Sequence, residues 1–302
     1  MRVVSVLPSA TEIVCALGAR GELVGRSAEC DYPADVRELP VVMRARTLDG
    51  ERPSAEIDAR VRTARARGES LYAVDVERLR AARPDVLFTQ DLCAVCSVTT
   101  EEIAQACAAA GVHPTVVSLS PTTLDEVWSS VETVGDAIGR PDEARRLATE
   151  LRRSSSAVRA PVRGPRVAVV EWLDPPILAG LWAPAMVRAA GGSSLGPRAG
   201  EPGARTTWRD LAALRPDLLV LSPCSFSVSR SLTELQNSAL LRDVVQAAPK
   251  ERIFVADEAY FSRPGPRLAD GVALLRALLA RQPGPFPMPV ARLDRAAGTV
   301  AA

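Results

Sequence analysis

Histidine is almost missing from this chain. His113 is the only one, so histidine-based metal sites and a Ser-His-Asp triad are poorly supported. Lysine is reduced to Lys250, and arginine carries nearly all the basic charge, which reads as a compositional habit of the source genome. No apolar run approaches the ~18 residues of a membrane span. The opening run Val3 to Leu7 meets Pro8-Ser9 at once, too short for the roughly 7–15 apolar residues of a signal-peptide core. On this reading the protein is cytoplasmic and not membrane-embedded. No GxGxxG and no GxxxxGK[ST] follows a strand-like run, so nucleotide binding lacks its fingerprint. Excess charge is also missing. A net charge of +1 gives no global field to draw nucleic acid or a membrane surface.

What remains is an ordinary globular composition. The 302 residues are 47% hydrophobic, enough for two domains with real cores. Six cysteines in a cytoplasmic protein should be thiols or ligands, not disulfides.

The stretch from Ser120 to Ala160 organises the sequence. Thr123 with Glu126 fits a capping box that opens a helix at Leu124. Leu124, Val127, Trp128, Val131 and Ile138 recur at helical spacing. Pro141, Asp142 and Glu143 suit the start of a second helix, with Ala144, Leu147, Ala148, Leu151 and Val158 as its apolar stripe. A helix reaching Ala160 would span roughly 30 Å. Before this stretch stands Arg83-Pro-Asp-Val-Leu-Phe-Thr-Gln90, and after it Arg215-Pro-Asp-Leu-Leu-Val-Leu-Ser222. Both read as a helix end, a turn and a buried strand, so the halves echo each other.

Strands alternate with helices in each half, which predicts two parallel-type α/β lobes. Capping boxes are expected at Ser9/Glu12 and Thr99/Glu102, with Gly18 and Gly111 stopping those helices. Ser54 to Arg67 reads as an amphipathic helix with Ile57, Val61 and Ala64 inward. The expected division is an N-terminal lobe over residues 1–121, a connecting helical segment over 122–160, a C-terminal lobe over 161–285 and a loosely attached Pro-rich tail over 286–302.

In open α/β sheets, ligands bind beyond the carboxyl ends of the strands. Cys30, Cys93, Cys96 and Cys224 all lie just past expected strand ends, whereas Cys15 and Cys107 lie inside helices and read as packing. Four thiols with almost no histidine favour soft-metal chemistry, either zinc or an iron–sulfur cluster. A redox dithiol, or thiols that only line a pocket, stay open beside it.

Arg2-Val-Val-Ser-Val-Leu-Pro-Ser-Ala-Thr-Glu-Ile-Val14, the Arg-Pro-Asp turns and the long central helix resemble the Fe/B12-type solute-binding proteins, over roughly residues 1 to 285. Glu29-Cys-Asp-Tyr-Pro33, Thr89 to Cys96, Glu171 to Pro176 and Ser262 to Arg267 resemble a branch labelled cobalamin-binding. The resemblance implies two Rossmann-like α/β lobes joined by a single long backbone helix, the class III periplasmic-binding-protein fold. It implies a small-molecule ligand held between the lobes, delivery to an ABC importer, and binding, not catalysis. A corrinoid (cobalamin) or another metal-containing ligand is then expected. Trp172, Trp182, Tyr260 and Phe261 could supply flat apolar walls, and Arg44, Arg46, Arg263 and Arg267 could meet carboxylates or phosphates. The second reading is a cytoplasmic four-cysteine metalloprotein acting as a sensor or redox protein.

Overall fold

The computed structural model describes residues 1–46, 52–91, 98–156, 164–248, 252–293 and 300–301. The chain divides into two compact α/β units, each with its own sheet.

The first unit runs β1 (Val3–Ser5), α1 (Pro8–Ala16), β2 (Leu23–Ser27), β3 (Val41–Ala45), α2 (Ser54–Ala66), β4 (Tyr72–Val74), α3 (Val76–Ala82), β5 (Val86–Thr89), α4 (Thr100–Ala110), β6 (Thr115–Ser118), α5 (Leu124–Ala137) and α6 (Pro141–Ser154). Its sheet has the order β4-β3-β2-β1-β5-β6. All pairs are parallel except β3 with β4. The central strands β1 and β5 are buried on both faces, which suits their unbroken Val-Val and Val-Leu-Phe runs.

The second unit follows with β7 (Arg166–Leu173), β8 (Pro176–Leu178), α7 (Ala183–Ala189), β9 (Ser193–Ser194), β10 (Ala204–Arg205), α8 (Trp208–Ala213), β11 (Leu218–Leu221), α9 (Val228–Gln236), α10 (Leu240–Ala247), β12 (Ile253–Ala256), α11 (Leu268–Leu279), β13 (Val290–Leu293) and β14 (Val300–Ala301). β7, β11 and β12 form its parallel centre. β8 folds back antiparallel on β7, and β13 runs antiparallel beside β12.

The echo between the halves is structural. Arg83 and Arg215 each take a left-handed conformation, with φ of 41° and 48°. The proline that follows cannot continue the helix. The aspartate then turns its carboxylate onto the start of the neighbouring strand. Arg2 donates its backbone N–H to Asp85 Oδ2 at 2.7 Å, and Arg166 donates its own to Asp217 Oδ2 at 2.9 Å. Backbone bonds from Asp85 to Arg2 and from Asp217 to Arg166 run the other way, at 2.8 and 2.7 Å.

Several expectations are corrected. α1 has no Ser9/Glu12 capping box. It starts at Pro8, its N-cap is Leu7, and Ser9 and Glu12 are buried inside the helix. Proline at the first position needs no partner for a missing N–H, so the serine is not used as a cap. The Thr99/Glu102 box does form, with Thr99 N–H on Glu102 Oε2 at 2.8 Å and Glu102 N–H on Thr99 Oγ1 at 3.2 Å. The helix from Pro141 ends at Ser154, about 21 Å long rather than 30. The boundary between units passes from Leu151 to Arg152 within it, and Val158 lies outside the described residues. Residues 286–302 are not simply a loose tail. Ala291 and Leu293 are buried while Arg292 is exposed, a period of two that makes β13 a half-buried sheet strand.

α5 and α6 approach closely at Gly135. A Cβ there would lie 2.1 Å from Ala144 Cβ and 2.9 Å from the Arg140 carbonyl. Gly135→Ala should therefore destabilise the first unit by about 1–3 kcal/mol in a denaturant titration, although alanine is the better helix former. Asp217→Ala should cost the second unit about 1 kcal/mol, the ordinary worth of one hydrogen bond. An unchanged midpoint would show that Asp217 does not hold its strand.

Candidate functional site

The carboxyl ends of the parallel strands are the edge where such sheets present chemistry. In the first unit this edge is polar but self-satisfied. Ser5, Thr11, Ser27 and Thr89 are all essentially buried. Thr11 Oγ1 lies 2.9 Å from Ser5 Oγ and 3.0 Å from Cys30 Sγ. Ser27 Oγ accepts the Glu29 N–H at 3.1 Å, which bends the loop after β2 back on itself. Arg26 then braces that loop. Its guanidinium donates to the carbonyls of Ser27, Ala28, Cys30 and Arg37 at 2.8–3.1 Å.

This bend decides the fate of Cys30. Its side chain turns inward against Thr11 and is 1% exposed. Burial pushes the thiol pKa up, with hydrogen bonds from Thr11 and Ser27 only partly offsetting it. Cys15 and Cys107 stand in α1 and α4 as expected. Burial pushes Cys15 up to about 11 and raises Cys107. Cys93 and Cys96 lie outside the described residues. Cys224 is half-buried just after β11. Among the described residues no three His, Cys, Asp or Glu side chains group as a metal site.

In the second unit the strand ends carry a different set. Ser222 Oγ donates to the Asp257 carbonyl at 3.3 Å, and Ser262 Oγ donates to the Ser222 carbonyl at 3.5 Å. These bonds tie the loops after β11 and β12 together. After Ser222 the chain makes a tight turn, with Phe226 N–H on the Pro223 carbonyl at 3.0 Å. Ser225 occupies the left-handed region there, at φ 64°, where glycine is the comfortable residue. Phe226 is fully buried, and the half-exposed Trp172 meets it edge-on with ring centroids 5.5 Å apart. Trp172 Nε1 donates to the Asp174 carbonyl at 3.2 Å. The Arg230 guanidinium carbon lies 3.6 Å from the Phe226 ring centroid.

Sequence expectation and structure part company for several residues. Trp182 and Phe261 are 5% and 3% exposed, and Trp182 Nε1 donates to the Phe261 carbonyl at 2.7 Å. Both are spent on packing the second unit. Arg263 is also committed, with Nε 2.5 Å from the buried Glu258 carboxylate. Tyr260 stays half-buried with the Arg267 guanidinium 5.5 Å from its ring centroid. Burial raises its phenol, while the charge and hydrogen bond of Arg267 pull against that. Arg44 is exposed on β3, and Arg46 donates to the Tyr72 carbonyl at 2.8 Å, bracing β3 against β4. Trp172, Tyr260 and Cys224 therefore stand at one strand-end edge of the second unit. Phe226 and Arg230 join Trp172 there and were missed from sequence. The signal was present as an aromatic and an arginine four apart on a strand-to-helix turn.

Thiol reactivity gives a direct check of these burials. With its pKa pushed up to about 11, Cys15 should be almost wholly thiol at pH 8. Cys15 and the fully buried Cys30 should resist iodoacetamide in the folded protein and react once it is unfolded, as read by peptide mass. Rapid alkylation of Cys30 in the native protein would overturn its placement.

Comparison with known proteins supplies the family. The periplasmic binding protein family matches residues 3–260. No curated protein matches the chain. Among solved structures, a periplasmic heme-binding protein from Pseudomonas aeruginosa aligns with a TM-score of 0.67 at 24% identity, covering 95% of each chain. The vitamin B12-binding protein BtuF of Vibrio cholerae aligns with a TM-score of 0.62 at 17% identity, covering 93% of this chain and 96% of that one. A protein of an Fe3+-hydroxamate transport system from Saccharomonospora viridis aligns with a TM-score of 0.64 at 20% identity, covering 92% of both. These likenesses are likenesses of fold. With the family matched across most of its length, the chain belongs to the periplasmic binding protein family.

Proposed function

We propose that this protein binds a metal-containing small molecule of the corrinoid, heme or ferric-chelate kind and serves an ABC importer. The observation that carries the reading is the family match across residues 3–260, which spans the parallel centres of both units. Solved relatives in fold are described as a heme-binding protein, a vitamin B12-binding protein and part of an Fe3+-hydroxamate transport system. The half-exposed Trp172 and Tyr260, at the strand ends of the second unit, suit a large ligand with flat apolar surface. The role is binding and release, without a chemical step. The buried Cys30 turns away from the four-cysteine alternative, because a thiolate shared with other ligands would have to leave its contact with Thr11.

The test is a titration of the full chain with hemin, cyanocobalamin and ferrichrome, each followed by tryptophan quenching and visible absorption. One of the three should saturate at one equivalent with a dissociation constant of about 1 μM or tighter, and Trp172→Ala should weaken it. Binding of none of them would defeat the proposal.

A further inference from the structure

Charge is shared unequally between the two units. Residues 1–151 hold 17 arginines against 24 aspartates and glutamates, a net charge of −7. Residues 152–302 hold 20 arginines and lysines against 12 aspartates and glutamates, a net charge of +8. The short pieces 53–55 and 122–124 that cluster with the second unit carry no charge. The chain-wide +1 therefore conceals two oppositely charged bodies.

Part of the positive excess gathers at the amino-terminal edge of the second sheet, opposite the strand ends described above. Arg166 begins β7, Arg252 stands one residue before β12, and Arg215 leads into β11. Val167 pairs with Leu218 and Leu219 with Ile253, so Arg166 and Arg252 flank the start of β11 from its two sides. Their backbones are about 10 Å apart, two strand spacings. Arg281 joins them from the end of α11. Arg252 donates to the Leu278 carbonyl at 2.5 Å, and the Arg281 N–H reaches the same carbonyl at 3.2 Å. Arg166, Arg215 and Arg281 are exposed, and among the described residues their side chains make no hydrogen bond or ion pair. Asp217 is the acid beside them, and its carboxylate already holds the Arg166 N–H. Burial and then the Arg281 charge pull the Arg252 pKa down, with Asp217 opposing them. The C-terminal ends of α8, α10 and α11 also lie at this edge. Each carries roughly half a negative charge, which offsets one to two of the four guanidiniums.

From this geometry we propose that the edge formed by Arg166, Arg215, Arg252 and Arg281 is a docking surface for an anionic lipid membrane. The proposal goes beyond the solute-binding reading and does not depend on which solute is bound. Guanidiniums spread along a sheet edge, with no pocket between them, suit a surface of repeated phosphates that asks for charge and not for shape. Screening confines such a field to about 8–10 Å at ordinary salt. The patch therefore acts through its own guanidiniums, and the acidic first unit does not cancel it at contact.

The test is co-sedimentation of the full chain with vesicles of phosphatidylcholine alone or mixed with phosphatidylglycerol. The chain should bind the mixed vesicles and not the neutral ones, and raising salt from about 0.1 M to about 1 M should abolish binding as the screening length falls to ~3 Å. Each guanidinium lost should weaken binding about fivefold, so the triple variant Arg166→Gln/Arg215→Gln/Arg281→Gln should lose about a hundredfold. The matching triple change to lysine should keep most of the binding. Arg65→Gln, an exposed arginine on α2 of the first unit, should change nothing. Equal sedimentation with neutral and anionic vesicles, or with neither, would overturn the proposal. So would a triple glutamine variant that binds like the wild type but melts lower, which would make these arginines partners of helix ends only. A loss in Arg65→Gln as large as in Arg166→Gln would assign the effect to overall charge and overturn the edge. Tight binding of polyglutamate without vesicle binding would overturn the membrane and give the edge to an acidic protein partner. Should the triple variant fail to fold, the three single glutamine variants and the salt series on the wild type decide the matter.

Discussion

The arrangement of each unit hangs on one small clasp. In both, an aspartate after Arg-Pro accepts a backbone N–H at the start of the first strand. It also returns its own N–H to that residue's carbonyl. The effect is to fix the register of the two central parallel strands, Val3 opposite Val86 in one sheet and Val167 opposite Leu218 in the other. Parallel strands have no hairpin to set their alignment. Shifting one by a single residue would turn its side chains to the opposite face. An aspartate that can bond only at the correct register resists that slip. The left-handed arginine and the proline before it end the preceding helix at the right place for the strand to begin.

Register then determines what lies at the strand ends. β5 and β11 are buried along their whole length, so polar side chains are excluded from them until the last residue or beyond. Thr89 and Ser222 appear there, buried and hydrogen-bonded. Buried hydroxyls without partners would be expensive, and their bonds to nearby carbonyls turn a liability into a brace. The strand-end edge of each unit is therefore stiff before any ligand is considered. Stiff edges suit a protein whose task is to bind, since less freedom is lost on capture.

Much of this was legible in the sequence. The Arg-Pro-Asp echo marked both central strands, and helical spacing placed α5 and the start of α6, though not where α6 ends. The Thr99/Glu102 box was a reliable start signal because its two residues satisfy each other. The Ser9/Glu12 pair had the same spacing and failed, since Pro8 already began the helix. β13 was obscured by the prolines around it, and its alternation covers only four residues. The short strand β8 was missed because its proline start reads as loop, yet a strand can begin on proline without losing a ladder bond it needs.

The site was harder to read than the fold, for a physical reason. Sequence places a residue past a strand end but does not say which way its side chain turns. Cys30 stands where a ligand residue would, and a bend made by the serine three residues earlier folds its thiol under Thr11. Trp182 and Phe261 have the chemistry of a ligand wall and are consumed by the core. Arg263 has the chemistry of a carboxylate fork and is consumed by Glu258. Residue type was informative for all of them, and direction was not. Arg230 meets an aromatic ring only four residues away, across the capped start of α9, so local turn geometry brings the two together. The legible part of a binding site is thus the part whose orientation is enforced locally. The rest becomes visible only once long-range packing has chosen which polar groups it can satisfy from within.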